Sequence, residues 1–333
     1  MHRPASKPWT VDFTKNDSYS FNIPGQRAIP VQHPHLLHIF SPTKFVSPFD
    51  INMAYEAKFD GVIPYCNVRL EEIHALTQDT IFSRSPEGGR QTGIFIGGRD
   101  FNLAIEMLDA ARSAMVPPFE VSVMADPSGA ITTAAAMVAL AERCLKREYS
   151  DELTGRRVCV FGGTGPVGAC VALLAARGGA HCAIVSHQGR EAAQRTADRL
   201  ADKYEIALDS ADGSSSEAIR VWLPEVEVLF SAAKAGIQVI NGASLKHAVS
   251  LRVIADANAV PPSGVEGVDA NDSAKRIVTV NEAAAFAFGA LAIGDVKFKV
   301  HTALLKQMHG AVEPMYLAYD EALATARDLV AGN

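Results

Sequence analysis

The 333-residue chain is poor in the features that mark several protein classes. Its five cysteines (Cys66, Cys144, Cys159, Cys170 and Cys182) are few, odd in number and without C-x-x-C spacing. That excludes a disulfide-framed secreted fold and a thiolate zinc site, and points to reduced thiols in the cytoplasm. No stretch approaches the roughly 18 apolar residues of a membrane span, and the first residues hold no apolar signal core. The ten histidines show no H-E-x-x-H or similar spacing, so no metal is expected. Excess positive charge is missing too. The net charge of −6 gives no overall field that would draw in nucleic acid or an anionic membrane. Repeats of solenoid period are absent.

What is there is globular. Hydrophobic residues at 48% with 20% charged exclude disorder, collagen and coiled coil as descriptions of the whole chain. The length favours two domains. Seven of the 17 prolines fall in the first 48 residues, a density that blocks helix interiors and central strands. Residues 1–34 therefore read as an extended, proline-rich arm or a disordered leader. From residue 35 short apolar runs alternate with helical patterns. Strands are expected at Leu36–Phe40, Gly61–Tyr65, Thr80–Phe82, Gly93–Ile96 and Phe119–Met124, with helices between them. An alanine-rich helix, Thr132–Leu145, follows and bridges to a second half. The expected class is α/β: an N-terminal α/β substrate domain over 35–150 plus a C-terminal Rossmann-type parallel-sheet domain over 151–290. Residues 291–333 are expected to return to the cleft and the first domain.

The second half opens on the strand Arg157–Phe161, then Gly163-Thr164-Gly165-Pro166-Val167-Gly168, then a helix. This is G-x-G-x-x-G in the strand–turn–helix context that dinucleotide binding requires. The first glycine suits the tight turn, the second the approach of a pyrophosphate, the third close helix packing. A phosphate would sit at the helix N-terminus. The next strand ends Ser186-His187-Gln188-Gly189-Arg190, with no carboxylate to accept from a ribose 2′-hydroxyl. Ser186 and Arg190 are instead suited to a 2′-phosphate, with His187 between them also expected at the cofactor, so NADP is favoured over NAD, with NAD still possible.

Several segments together resemble the bacterial methylene-tetrahydromethanopterin dehydrogenases and their methylene-tetrahydrofolate relatives of methylotrophs. They are Gly162–Gly168, Thr80–Arg84 with Gln91–Asp100, Pro118–Ala136, Asp256–Asp269 and Phe288–His301. The likeness covers roughly residues 36–330. It implies a pterin-binding first domain, a Rossmann NAD(P) domain, an active-site cleft between them and a homo-oligomer, in one-carbon (formaldehyde) oxidation. Two segments depart from the family pattern: the N-terminal arm, and Ser-His-Gln-Gly-Arg where relatives tend to Gly-Arg-Lys.

The implied reaction moves a hydride from a methylene bridge to nicotinamide and leaves a methenyl cation. No hydroxyl has to lose a proton, so positioning should supply much of the rate. By the resemblance, Lys297 faces the pterin; a cation too near the bridge would oppose the product, so it is expected to orient the pterin carbonyl or tail. Asp50 matches a family Ser-x-Phe-Asp segment and either accepts from pterin N–H groups or charges a helix start. Thr132 and Thr133 either meet the pterin or cap their helix. Asp126 and Asn258 end strands on the cleft side. His301 is set aside, because this chemistry needs no base. The alternatives are methylene-tetrahydrofolate as substrate, a dehydrogenase of another small molecule, and a non-catalytic nucleotide-binding protein.

Overall fold

Buried apolar runs set the strands, and half-apolar segments between them lie on the sheets as helices. The computed structural model describes residues 33–278 and 284–332. First come β1 (Leu36–Phe40), α1 (Pro48–Glu56), β2 (Gly61–Tyr65), α2 (Ile73–Phe82), α3 (Pro86–Arg90), β3 (Thr92–Ile96), α4 (Phe101–Ser113), β4 (Ser122–Ala125) and α5 (Ala130–Tyr149). Then follow β5 (Arg157–Phe161), α6 (Pro166–Arg177), β6 (His181–Ser186), α7 (Arg190–Tyr204), β7 (Asp209–Asp212) and α8 (Ser216–Trp222). Next are β8 (Val228–Ser231), α9 (Gly242–Leu245), β9 (Val253–Asp256), β10 (Ser273–Val278) and β11 (Ala284–Phe288). The chain closes with α10 (Ala290–His309), β12 (Tyr316–Leu317) and α11 (Tyr319–Ala331).

Two sheets result. The first is wholly parallel in the order β12-β4-β3-β1-β2. Its central strand β3 is buried along its whole length, as a parallel strand covered on both faces must be. The second has the order β10-β11-β9-β8-β5-β6-β7, parallel except for the edge strand β10. Numbered from β5, its core reads 3-2-1-4-5, the doubly wound order that binds dinucleotides where the order reverses. Here that point lies between β5 and β8. Among the described residues no helix is long and apolar enough to cross a membrane.

Two 20-residue helices join the sheets. α5 packs on α6, α10 and α11, and its buried alanines, Ala134 to Ala136, Ala139 and Ala141, allow that crowding. Its Tyr149 hydroxyl donates to the Ala284 carbonyl at the foot of the second sheet. α10 leaves the second sheet at Gly289 and crosses onto the first, where a Cβ on Gly93 would meet Met308 Sδ at 2.3 Å. That strand glycine lets the helix lie directly on the sheet.

One expected strand is corrected. Thr80–Phe82 is the last turn of α2, where the Thr80 hydroxyl donates to the Leu76 carbonyl. Three residues with two β-branched side chains satisfy either period, and the helix already running from Ile73 decides it. The strand expected over Phe119–Met124 begins only at Ser122. The proline-rich arm lies outside the described residues up to position 32.

Candidate active site

The loops after β1, β3 and β4 converge at the carboxyl edge of the first sheet. After β1, Ser47 stands at the N-cap position of α1 without a side-chain capping bond, Pro48 takes its first position, and Asp50 follows in the first turn. Asp50 is nonetheless buried, with Oδ1 unpartnered among the described residues. After β4, Asp126 is wholly buried and starts α5, accepting from the N–H groups of Ile131 (2.9 Å) and Thr132 (3.2 Å). Between them lies Ser128, a non-glycine residue in the left-handed region, whose hydroxyl donates to the Gly98 carbonyl at 2.7 Å. Backbone strain of this kind clusters at functional sites.

α10 completes the cluster. Lys297 is half-buried, with its ammonium 3.4 Å from the centroid of the Phe49 ring. Gly129 opposite has φ +69°, and a Cβ there would meet Lys297 Nζ at 2.9 Å. The glycine therefore serves both its backbone angle and the lysine's seat. Lys299 is exposed and pairs with Asp295. His301, one turn beyond Lys297, is fully buried and donates from Nδ1 to Asp126 at 2.8 Å.

Charge in this cluster is shaped by burial. Burial first, and then the charge of Asp126, pushes the Asp50 carboxyl up to about 7, with Lys297 pulling the other way. Burial also raises Asp126, but the hydrogen bond and charge of His301, the Thr132 hydroxyl and Lys297 outweigh it and hold that carboxyl below the usual range. Burial lowers the Lys297 ammonium, opposed by Asp126 and Asp50. One carboxylate is thus firmly ionised and the other poised near neutrality.

Asp50 yields a stability prediction. Its carboxyl loses its proton near 3.8 when unfolded and near 7 when folded. Between those values the folded state holds a proton that the unfolded chain has released, so stability falls as pH rises through the window. Asp50→Asn should melt at the same temperature as the parent at pH 4. At pH 8 it should melt several degrees higher, with a limit on the order of 4 kcal/mol. Equal melting temperatures at both pH values would contradict the buried, proton-holding carboxyl.

The glycine loop sits in the second sheet's crevice, in the order strand β5, loop, helix α6. The tight turn falls on Gly162 (φ +74°), one residue before the motif's first glycine, and a Cβ there would meet the Ala232 carbonyl oxygen at 2.4 Å. Gly163, given that role from the motif, instead lies close over Ile184. Gly168 packs against the loop as expected, 2.4 Å from the Gly162 oxygen to a notional Cβ. A cavity of about 720 Å³ opens over this loop, lined by Thr164, Gly165, Pro166, Ser186 and His187. Gly163, Val167 and Gly168 lie outside that lining and belong to the loop and the first turn of α6.

The sequence reading missed Ser214–Ser216 and Lys234 in the same lining, because they come from loops after neighbouring strands. Arg190 begins α7, exposed, and its Nε donates to Ser210 Oγ at 3.3 Å. Asp212 lies beside Ser186 in register, a carboxylate on the next strand; it accepts from the Ser214 N–H and does not line the cavity.

Of the predicted substrate residues, Asp50, Asp126 and Lys297 come together. Thr132 spends its hydroxyl proton on Asp126, and Thr133 spends its own on the Gly129 carbonyl. Asn258 is engaged elsewhere. It accepts from the N–H groups of Gly236 and Val260 and donates to the Pro262 carbonyl, which ties the loop after β9. His301, set aside from the sequence, belongs to the cluster. The i, i+4 spacing from Lys297 was its one signal, and it required reading the segment as a helix.

A doubly wound sheet with a glycine-cradled crevice, beside a second sheet whose carboxyl edge gathers a lysine and two buried aspartates, defines an NAD(P)-binding α/β protein. Comparison with known proteins narrows the class. Residues 48–128 match the family model described as methylene-tetrahydromethanopterin dehydrogenase, N-terminal. The NAD(P)-dependent methylenetetrahydromethanopterin dehydrogenase of Methylorubrum extorquens is 40% identical over 294 residues, 88% of this chain and 98% of that one. A bifunctional protein, MdtA, of the same organism is 30% identical over 298 residues, with 88% and 98% covered. The chain belongs to the methylene-tetrahydromethanopterin dehydrogenase family. Among solved structures, quinate dehydrogenase from Corynebacterium glutamicum superposes at a TM-score of 0.49 with 12% identity, over 91% of this chain and 100% of that one. Shikimate 5-dehydrogenase from Listeria monocytogenes gives 0.48 with 14% identity, over 93% and 100%.

Proposed function

We propose that this protein oxidises methylene-tetrahydromethanopterin to the methenyl form with NADP, in one-carbon (formaldehyde) oxidation, as a homo-oligomer. The observation that carries the reading is the placement of Lys297, on the Phe49 ring beside Asp50 and Asp126 and without an ion pair among the described residues, in a chain 40% identical to a relative named for that reaction. NADP supplies the hydride acceptor at its nicotinamide ring. The chain's own work is to bind and align. Gly162 and Gly168 let the backbone close around a pyrophosphate at the start of α6. Lys297 donates to the pterin carbonyl or tail, and Asp50 Oδ1, a buried acceptor without a partner among the described residues, suits the pterin's N–H groups. Alignment of the two carbons then supplies most of the rate.

The assay mixes protein with methylene-tetrahydromethanopterin or methylene-tetrahydrofolate, adds NADP or NAD, and follows the methenyl product. Turnover is expected with the methanopterin substrate and NADP. Tight NADP binding with no turnover of either pterin would sink the dehydrogenase reading. Arg190→Ala should raise the Kd for NADP about tenfold and leave that for NAD unchanged, since only NADP carries the 2′-phosphate. An unaltered ratio of the two would remove Arg190 from cofactor choice.

A further inference from the structure

Every acceptor position on Asp126 is taken. Oδ1 receives the Ile131 and Thr132 N–H groups; Oδ2 receives the Thr132 hydroxyl at 2.7 Å and His301 Nδ1 at 2.8 Å. A carboxylate offers about four lone-pair directions, and four donors fill them. Lys297 is near enough to feel this charge, yet among the described residues its ammonium makes no ion pair and rests on the Phe49 ring. A half-buried ammonium beside a buried, ionised carboxylate with a free oxygen would be expected to close onto it, because both ions are short of water; Asp50, which burial pushes up to about 7, holds its proton below neutral pH and exerts that pull weakly. Something prevents that closure. Three of the four donors belong to α5 itself, where they make the turn after β4. The fourth comes from another element, and it is His301, one turn along α10 from Lys297.

We propose that His301 is a positioning residue: by filling the last acceptor place on Asp126 it keeps Lys297 from collapsing onto that carboxylate and holds the ammonium open toward substrate. Asp126 then supports the lysine's charge through space without capturing its hydrogens. His301 is placed for this by the shared helix face and by the rings of Phe49 and Phe95, which pack on it at 5.4 and 5.8 Å. Because a carboxylate only accepts, Nδ1 carries the hydrogen. Among the described residues, the carboxyls facing the lysine are Asp50 from α1 and Asp126 after β4, with the His301 ring on its own helix.

The inference rests on Lys297 facing the pterin, so its test has an arm without pterin. Lysines are methylated with a carbon-13 label, and Lys297 is followed by NMR against pH, assigned with a Lys297→Arg protein. His301→Phe keeps the ring volume and removes the donor; His301→Asn returns an amide N–H near the Nδ1 position. In His301→Phe the Lys297 midpoint should rise by about one pH unit or more, as the direct pair with Asp126 forms. Turnover should fall about 100-fold with NADP affinity within twofold, and His301→Asn should restore most of both. An unchanged lysine midpoint in folded His301→Phe, or His301→Asn behaving like His301→Phe, would overturn the proposal. If His301→Phe does not fold, His301→Gln, whose amide reaches the Nε2 position, takes its place with the same expectations. A midpoint that rises without loss of turnover would uphold the hold on Lys297 and overturn its place in the pterin site.

Discussion

Lys297→Ala is expected to lose about 100- to 1,000-fold in kcat/KM for the methylene pterin, with the Kd for NADP within twofold. The asymmetry follows from where the residue sits. Lys297 stands on α10 at the carboxyl edge of the first sheet, whereas the cavity over the glycine loop belongs to the second. Its half-buried ammonium rests on a ring face and makes no ion pair among the described residues, so its donors point to a ligand. Removing it also leaves Asp50 and Asp126 facing each other without their shared cation, and both carboxyls should move up. Part of the loss should therefore appear as a displaced acid limb in the pH profile. Equal losses in pterin turnover and NADP affinity would place the lysine at the nucleotide instead.

Gly168→Ala should weaken NADP binding about 100-fold while methenyl-pterin binding stays near the parent value. Two effects compete at this position. Gly168 lies inside α6, where alanine is favoured over glycine by about 1 kcal/mol. Against that, the new Cβ would lie 2.4 Å from the Gly162 carbonyl oxygen and 2.7 Å from Gly163 Cα. Those are backbone atoms with no rotamer to relax, so the loop itself has to move. Displacement of even part of an ångström spoils the N–H groups that would cradle a pyrophosphate. The clash outweighs the propensity. Calorimetric titration with NADP decides it, and a Kd within threefold of the parent would mean that this loop does not hold the phosphates.

Legibility in the sequence followed the range of the interactions. The glycine motif was readable because one strand, one loop and one helix carry it. Even so, the turn lay at Gly162 and not Gly163, where a positive φ coincides with the close approach of Ala232, just past β8 and far along the chain. Asp50, Asp126 and Lys297 were reachable through family resemblance, but nothing local announced that they meet. His301 was passed over as a lone histidine, and only its approach to Asp126, 175 positions away, gives it a role. Thr80–Phe82 was misread because a three-residue apolar run carries no period of its own. The serines at 214–216 join the cavity over the glycine loop through sheet order, which no linear pattern displays.

The first sheet ends in β12, whose Tyr316 and Leu317 pair with Val123 and Met124, and its lysine arrives on α10. The family model ends at residue 128, well short of both. During synthesis the lobe that leaves the ribosome first is thus the last to be finished, waiting for the whole nucleotide-binding sheet to be made. A fragment cut after α5 would carry Asp50 and Asp126 but no Lys297, no His301 and an open sheet edge beside β4. Such a fragment should expose apolar surface and bind no pterin. In this fold the cluster of Asp50, Asp126, Lys297 and His301 is built from segments on both sides of the second sheet, and no single stretch of chain carries it.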